Sequence, residues 1–132
     1  MLKLYHEEPG TEEVQNLISK NVAAIYASQI AQLEMRSAIW KKVRTNELTP
    51  EAATAAISYF EHDAHHFLWI EIDREIIESA TRLLMRYGQD GLRSLDSLQL
   101  ASALSLQEKE CMYSTFDSLL KKFFIEAGLE VI

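Results

Sequence analysis

The sequence is poor in the residues that would tie a chain together covalently or divide it into segments. Cys111 is the one cysteine among 132 residues. No intrachain disulfide can form, which suits a reducing cytoplasm. Two prolines and four glycines are scattered. They give no linker, no low-complexity stretch and no phosphate-cradling glycine loop or dinucleotide fingerprint. A nucleophile elbow is also missing. No apolar run is long enough to span a membrane and no secretory leader is visible, so the expected location is the cytoplasm, with no membrane partner. Positive charge is scarce: 13 Lys and Arg face 20 Asp and Glu, for a formal net charge of -7. That excludes broad electrostatic attachment to nucleic acid, but not a small site whose positive charge is brought by a metal ion.

What is present is a core. Hydrophobic residues make up 48% of the chain, enough for one domain over residues 1–132. Leu2–Glu8 reads as a short helix stopped by Pro9-Gly10. Thr11 opens a helix to about Lys20, with Glu12 and Glu13 in its first turn, where the helix dipole favours acids. Val22–Ala27 is a short apolar run that suits a strand covered on both faces. Ser28 is the expected cap of a long helix to about Asn46. Thr49 with Pro50 marks the start of the next helix. Phe67–Ile72 is rich in strand formers, and Asp73 caps a helix bearing Ile76, Ile77, Ala80, Leu83 and Leu84. Cys111–Ser114 reads as a third strand. Asp117 caps a last helix closed by Gly128, and Leu129–Ile132 is a final strand. Strands alternating with helices predict an α/β fold with a mainly parallel sheet, whose active crevice lies at the carboxyl ends of the strands.

The segment Leu92–Leu104 stands apart. Its Leu and Ala residues point in nearly every direction on a helical wheel, which marks a buried helix. Asp96 near its start then needs a partner or a use, because an ionised carboxylate is costly to remove from water. As an N-cap, with Gln99 three residues on, it would accept a free backbone N–H at the positive helix end. Arg93 is also within reach. A cap and a functional acid facing a cleft are compatible readings.

Two further acids join it. Glu34 has Ser37 and Ala38, not a basic residue, at its helical neighbours, and it is not plainly on a solvated face. The bland reading is an ordinary exposed Glu. Asp117 is placed as a routine N-cap. Taken together, Glu34, Asp96 and Asp117 would lie on one edge of a parallel sheet, where hard oxygen ligands converge on Mg²⁺ or Mn²⁺. The run Glu61-His62-Asp63-Ala64-His65-His66 puts two imidazoles four apart on one helix face, yet it lacks the four ligands of a structural zinc site and reads as a solvated helix end. Cys111, inside a strand, reads as a small core residue. Lys41-Lys42 with Arg44, and Lys121-Lys122, are solvated helix faces unless they border the acids, where they would touch phosphate.

The sequence resembles PIN-domain proteins, in particular the VapC-type ribonuclease toxins of bacterial toxin–antitoxin pairs. The resemblance covers nearly the whole chain. It is carried by Leu2–Gly10, by Gln32-Leu33-Glu34-Met35 and by Ser114-Thr115-Phe116-Asp117 ahead of Gly128–Ile132. The most specific block is Leu92-Arg-Ser-Leu-Asp96-Ser-Leu-Gln-Leu-Ala-Ser-Ala103. It implies a three-layer PIN-like fold. Glu34, Asp96 and Asp117 match the family's second, third and fourth acids, which hold Mg²⁺ or Mn²⁺ and activate water for phosphodiester hydrolysis in RNA. Thr115 would add a hydroxyl to the water shell of the ion. The implied partners are an RNA substrate, a VapB-like antitoxin and a second copy of the chain. In the family a central strand ending in Asp precedes the segment matched by Leu2–Tyr5, so the resemblance also implies a missing first strand and a missing first acid. A shortened start, direct closure of the sheet or cover by a dimer partner would each answer that gap. With three of four acids the alternatives are a metal-dependent endoribonuclease and a catalytically impaired PIN-like binding protein or truncated product.

Overall fold

The computed structural model describes residues 9, 11–19, 24–107, 109, 111–115 and 117–132. The expected helix over 2–8 lies outside them, as do residues 22 and 23 of the first expected strand. The fold is mixed α/β, mostly helical, with a small parallel two-stranded sheet. Its elements in order are α1 (Thr11–Ser19), β1 (Ile25–Ser28), α2 (Ala31–Arg44), α3 (Pro50–Ala64), β2 (Phe67–Ile70), α4 (Arg74–Tyr87), α5 (Ser94–Leu104) and α6 (Ser118–Glu126). A 3₁₀ turn, Gly88–Asp90, follows α4. The chain divides into two compact units, residues 1–27 with 31–69, and residues 28–30 with 70–132.

In the first unit α2 packs against α3. Met35 and Ile39 stand one turn apart on α2, and Ala53, Ala56 and Phe60 form the matching stripe on α3. That i, i+3, i+4 spacing produces one apolar face per helix. Phe67 of β2 closes the cluster, with Ile25, Val43, Leu48, Ile57 and Trp69 around it. Thr49 caps α3 by accepting the N–H of Ala52 at 3.1 Å, with Pro50 at the first helical position. Pro there gives up an N–H that would have no helical partner. Arg36 of α2 pairs with Glu61 of α3 at 2.9 Å and lies 5.5 Å from the Phe60 ring centroid. His62 and His66 face each other edge-on, 6.3 Å between ring centroids.

In the second unit α5 is the shared surface, packing on both α4 and α6. Ile76 and Ala80 of α4 meet Ala101. On another side Leu100 and Ala103 join Tyr87, Leu92, Leu120, Phe123, Phe124 and Leu129. Ser97 and Ser102 are as buried as the leucines. The Ser97 hydroxyl donates to the carbonyl of Ser94 at 2.6 Å. The hydroxyls of Ser102 and Ser28 lie 2.9 Å apart. Small hydroxyls bonded in this way satisfy themselves inside a core. Asp73 caps α4 through the N–H of Ile76 at 2.9 Å. Gly128, at φ +85°, ends the turn after α6 in a left-handed conformation that a side chain strains.

Three local expectations change. Ser28 does not cap α2: it ends β1, is buried, and turns its hydroxyl to Ser102, while α2 begins at Ala31. The Cys111–Ser114 and Leu129–Ile132 segments do not form extended strands among the described residues. They meet in one parallel bridge, Tyr113 with Val131. Its two bonds run from Tyr113 N–H to the Glu130 carbonyl (3.1 Å) and from Ile132 N–H to the Tyr113 carbonyl (2.9 Å). Cys111 is half-buried with a free thiol.

The bridge holds an unusual tyrosine. The hydroxyls of Tyr113 and Tyr87 are buried without a hydrogen-bond partner among the described residues. Burial, and secondarily Cys111, pushes the Tyr113 phenol above its ordinary value. The folded chain therefore holds this proton more tightly than the unfolded one. The stability involved is fully present below pH of about 10, the ordinary tyrosine value, and is lost as pH rises toward the raised folded value. Tyr113→Phe is expected to change stability by no more than about 1 kcal/mol at pH 7, in either direction, since it deletes an unsatisfied buried hydroxyl. It is also expected to flatten the alkaline decline. Urea unfolding of both proteins at pH 7 and above pH of about 10 measures the two effects.

Candidate functional site

In the second unit the structure brings two acids to one point. Asp96 lies at the third position of α5, not at its N-cap; Arg93 is the residue flanking the helix start. The physical reason is the extended backbone of Arg93, which lets the helix begin at Ser94. Asp96 then reaches back over the first turn. Its Oδ2 accepts the Arg93 backbone N–H at 3.4 Å, which is half of a capping box. The same oxygen accepts the Arg93 Nε–H at 2.9 Å.

Asp117 comes from the start of α6. It is the N-cap expected from the sequence, its Oδ1 accepting the N–H of Leu120 at 2.9 Å. Its own N–H donates to Thr115 Oγ1 at 3.2 Å, so Thr115 shapes the turn that presents the acid. The other oxygen, Oδ2, lies 3.9 Å from Arg93 Nη2. One guanidinium is thus shared by two carboxylates that are 21 positions apart in sequence. The Asp96 side chain is 16% exposed, that of Asp117 45% and that of Arg93 72%. Hydrogen bonding to Asp96, its charge and then the charge of Asp117 push the Arg93 pKa further up, so the guanidinium stays charged.

Glu34 belongs to the first unit. It sits half-buried in the first turn of α2, between exposed Leu33 and buried Met35. That agrees with a position off the fully solvated face. Within neither unit do three His, Cys, Asp or Glu among the described residues gather into a metal-holding group. The pair Asp96 and Asp117 nevertheless fits a hard divalent cation. Both donors are carboxylate oxygens, and both already converge on one positive group. Mg²⁺ is commonly held by one or two carboxylates with water in the remaining positions.

The basic pairs are partly committed elsewhere. Lys42 binds Glu47 at 2.9 Å and Lys122 approaches Glu126 at 3.7 Å. A shallow cleft of about 350 Å³ beside the Tyr113 bridge is lined by Gln107, Cys111, Tyr113 and Glu130 among others, but not by Asp96 or Asp117. What sequence reasoning missed is the link from Arg93 to Asp117. The three-residue spacing signalled the contact with Asp96; nothing local signals a contact made across two helices.

Comparison with known proteins adds one finding. The family model described as PIN domain matches residues 1–123. No curated protein matches the sequence. Among the described residues no helix is long and apolar enough to cross a membrane.

Proposed function

Because this chain belongs to the PIN domain family, we propose that it is a metal-dependent endoribonuclease of the VapC toxin type. PIN domains are typically metal-dependent nucleases. The reading goes further, to RNA as substrate, Mg²⁺ or Mn²⁺ as cofactor, Glu34, Asp96 and Asp117 as metal-holding and catalytic acids, a VapB-like antitoxin as partner and a homodimer as the working form. The observation that carries it is the convergence of Asp96 and Asp117 on a single cation in the second unit.

A divalent ion bound by such acids would supply a water acidified enough to attack a phosphodiester and positive charge for the phosphate oxygens. The protein's share is to hold the carboxylates in place. The N–H of Leu120 fixes one oxygen of Asp117, and the N–H of Arg93 fixes one of Asp96. Both acids lie at helix starts, where the dipole favours negative charge. The cation also accounts for how an acidic chain handles a polyanion, since local charge at the site replaces the missing basic surface.

A second reading, a PIN-like protein that binds metal or RNA without cutting, is favoured by the lack of a three-ligand group among the described residues of either unit. One assay separates the two. Incubation of the full chain with single-stranded RNA and Mn²⁺ is expected to yield internal cleavage that a chelator abolishes. Intact RNA at all Mn²⁺ concentrations, with the metal bound, overturns the hydrolase and leaves the binding protein.

A further inference from the structure

We propose that Arg93 is a built-in competitor of the divalent ion: its guanidinium fills the position between Asp96 and Asp117 in the metal-free chain, and loading of the ion requires it to leave. The inference rests on the reading of this pair as metal-holding.

Three observations carry it. Arg93 bonds Asp96 Oδ2 through Nε at 2.9 Å and approaches Asp117 Oδ2 through Nη2 at 3.9 Å, so one cation already answers both carboxylates. The Arg93 side chain is 72% exposed while that of Asp96 is 16% exposed, so the arginine can swing out into water while the acid stays in place. The backbone N–H of Arg93 bonds the same Asp96 oxygen, so Asp96 keeps an anchor after the side chain departs. Exposed ion pairs are weak, and a divalent ion carries twice the charge of a guanidinium. Displacement is therefore easy, but not free. Arg93 keeps two carboxylates from repelling each other when no metal is present, and it lowers the apparent metal affinity by the cost of its removal.

A residue that merely supports the local structure weakens metal binding when it is replaced. A competitor strengthens it. Arg93→Gln keeps the backbone N–H and the first part of the side chain but removes the charge. Mn²⁺ titration of the full chain, followed by calorimetry and by the rise of melting temperature with added Mn²⁺, is expected to show roughly tenfold tighter binding in Arg93→Gln than in the parent. Arg93→Lys, which keeps a charge but loses the fork, is expected to fall between the two. The metal-free melting temperature of Arg93→Gln is expected to drop by a few degrees, reflecting the lost neutralisation of the two acids.

Asp96→Asn serves as the reference for the site itself. If Mn²⁺ binds the parent in a way that Asp96→Asn weakens, yet Arg93→Gln and Arg93→Lys bind no more tightly than the parent, Arg93 is not a competitor while the metal-holding reading stands. If no binding sensitive to Asp96→Asn is found in the parent or in either Arg93 variant, the metal-holding reading fails and the competitor role falls with it.

Discussion

Asp96→Asn is expected to lower chelator-sensitive RNA cleavage at least roughly a hundredfold. Outer partners of metal ligands already cost up to about that much when replaced, and a ligand costs no less. The substitution is nearly isosteric and keeps an oxygen that accepts the Arg93 backbone N–H, the bond that steadies the first turn of α5. Its charge is lost, and with it the 2.9 Å ion pair to the Arg93 side chain, an exposed contact of small energetic weight. The melting temperature is therefore expected to fall by less than about 5 °C. Activity and stability separate cleanly in this variant: a large loss of cleavage with a small loss of stability identifies a group at the reacting centre. Cleavage within about twofold of the parent removes Asp96 from the site.

The largest effect on stability is expected at Phe123. Its ring is fully buried, 5.2 Å from that of Tyr87, in the cluster that joins α5 to α6. Phe123→Ala removes most of a ring from a packed environment and is expected to cost about 3–5 kcal/mol, through lost transfer energy and the cavity left behind. For a marginally stable chain that is a large share of the total. Ile125 is two residues away on the same helix and 58% exposed. Ile125→Ala is expected to stay within about 0.5 kcal/mol of the parent. Urea unfolding of the two variants measures the contrast. Because Phe123 and the Asp117 cap share α6, loss of this anchor is also expected to loosen the turn that presents Asp117.

The helices were legible in the sequence because their signals are local. Thr49 with Pro50, Asp73 and Asp117 each announce a helix start through a side chain that must find an N–H two or three residues on, and all three do so. The reading of Leu92–Leu104 as a buried helix, drawn from apolar residues on every side, holds for Ser97 and Leu100–Ala103 but not for its first turn, where Leu95 is 48% exposed. Strands were less legible, since their partners lie far along the chain. Tyr113 and Val131 needed each other, and the alternation around them gave no measure of how far the pairing would extend. Ser28 was misread for a related reason. A serine before a helix is a good cap, but a buried hydroxyl on another helix can claim it, and Ser102 did. Asp96 was recognised as an acid needing a partner, and its shift from N-cap to the third helical position followed from the extended backbone at Arg93. The reach of Arg93 to Asp117 is a tertiary fact and had no sequence signal.

The serines of α5 have a consequence of their own. Ser97, Ala101 and Ser102 are almost wholly enclosed, and their short side chains allow neighbouring helices to approach the backbone closely. Such positions punish addition, because each added methylene must push a neighbour aside. At Ser102 subtraction is costly as well, since it takes a partner from the buried Ser28 hydroxyl. The helix that carries Asp96 thus imposes a ceiling on side-chain volume along its enclosed face. Crowding along the enclosed face of α5 and the Arg93 N–H bond together hold the aim of that carboxylate.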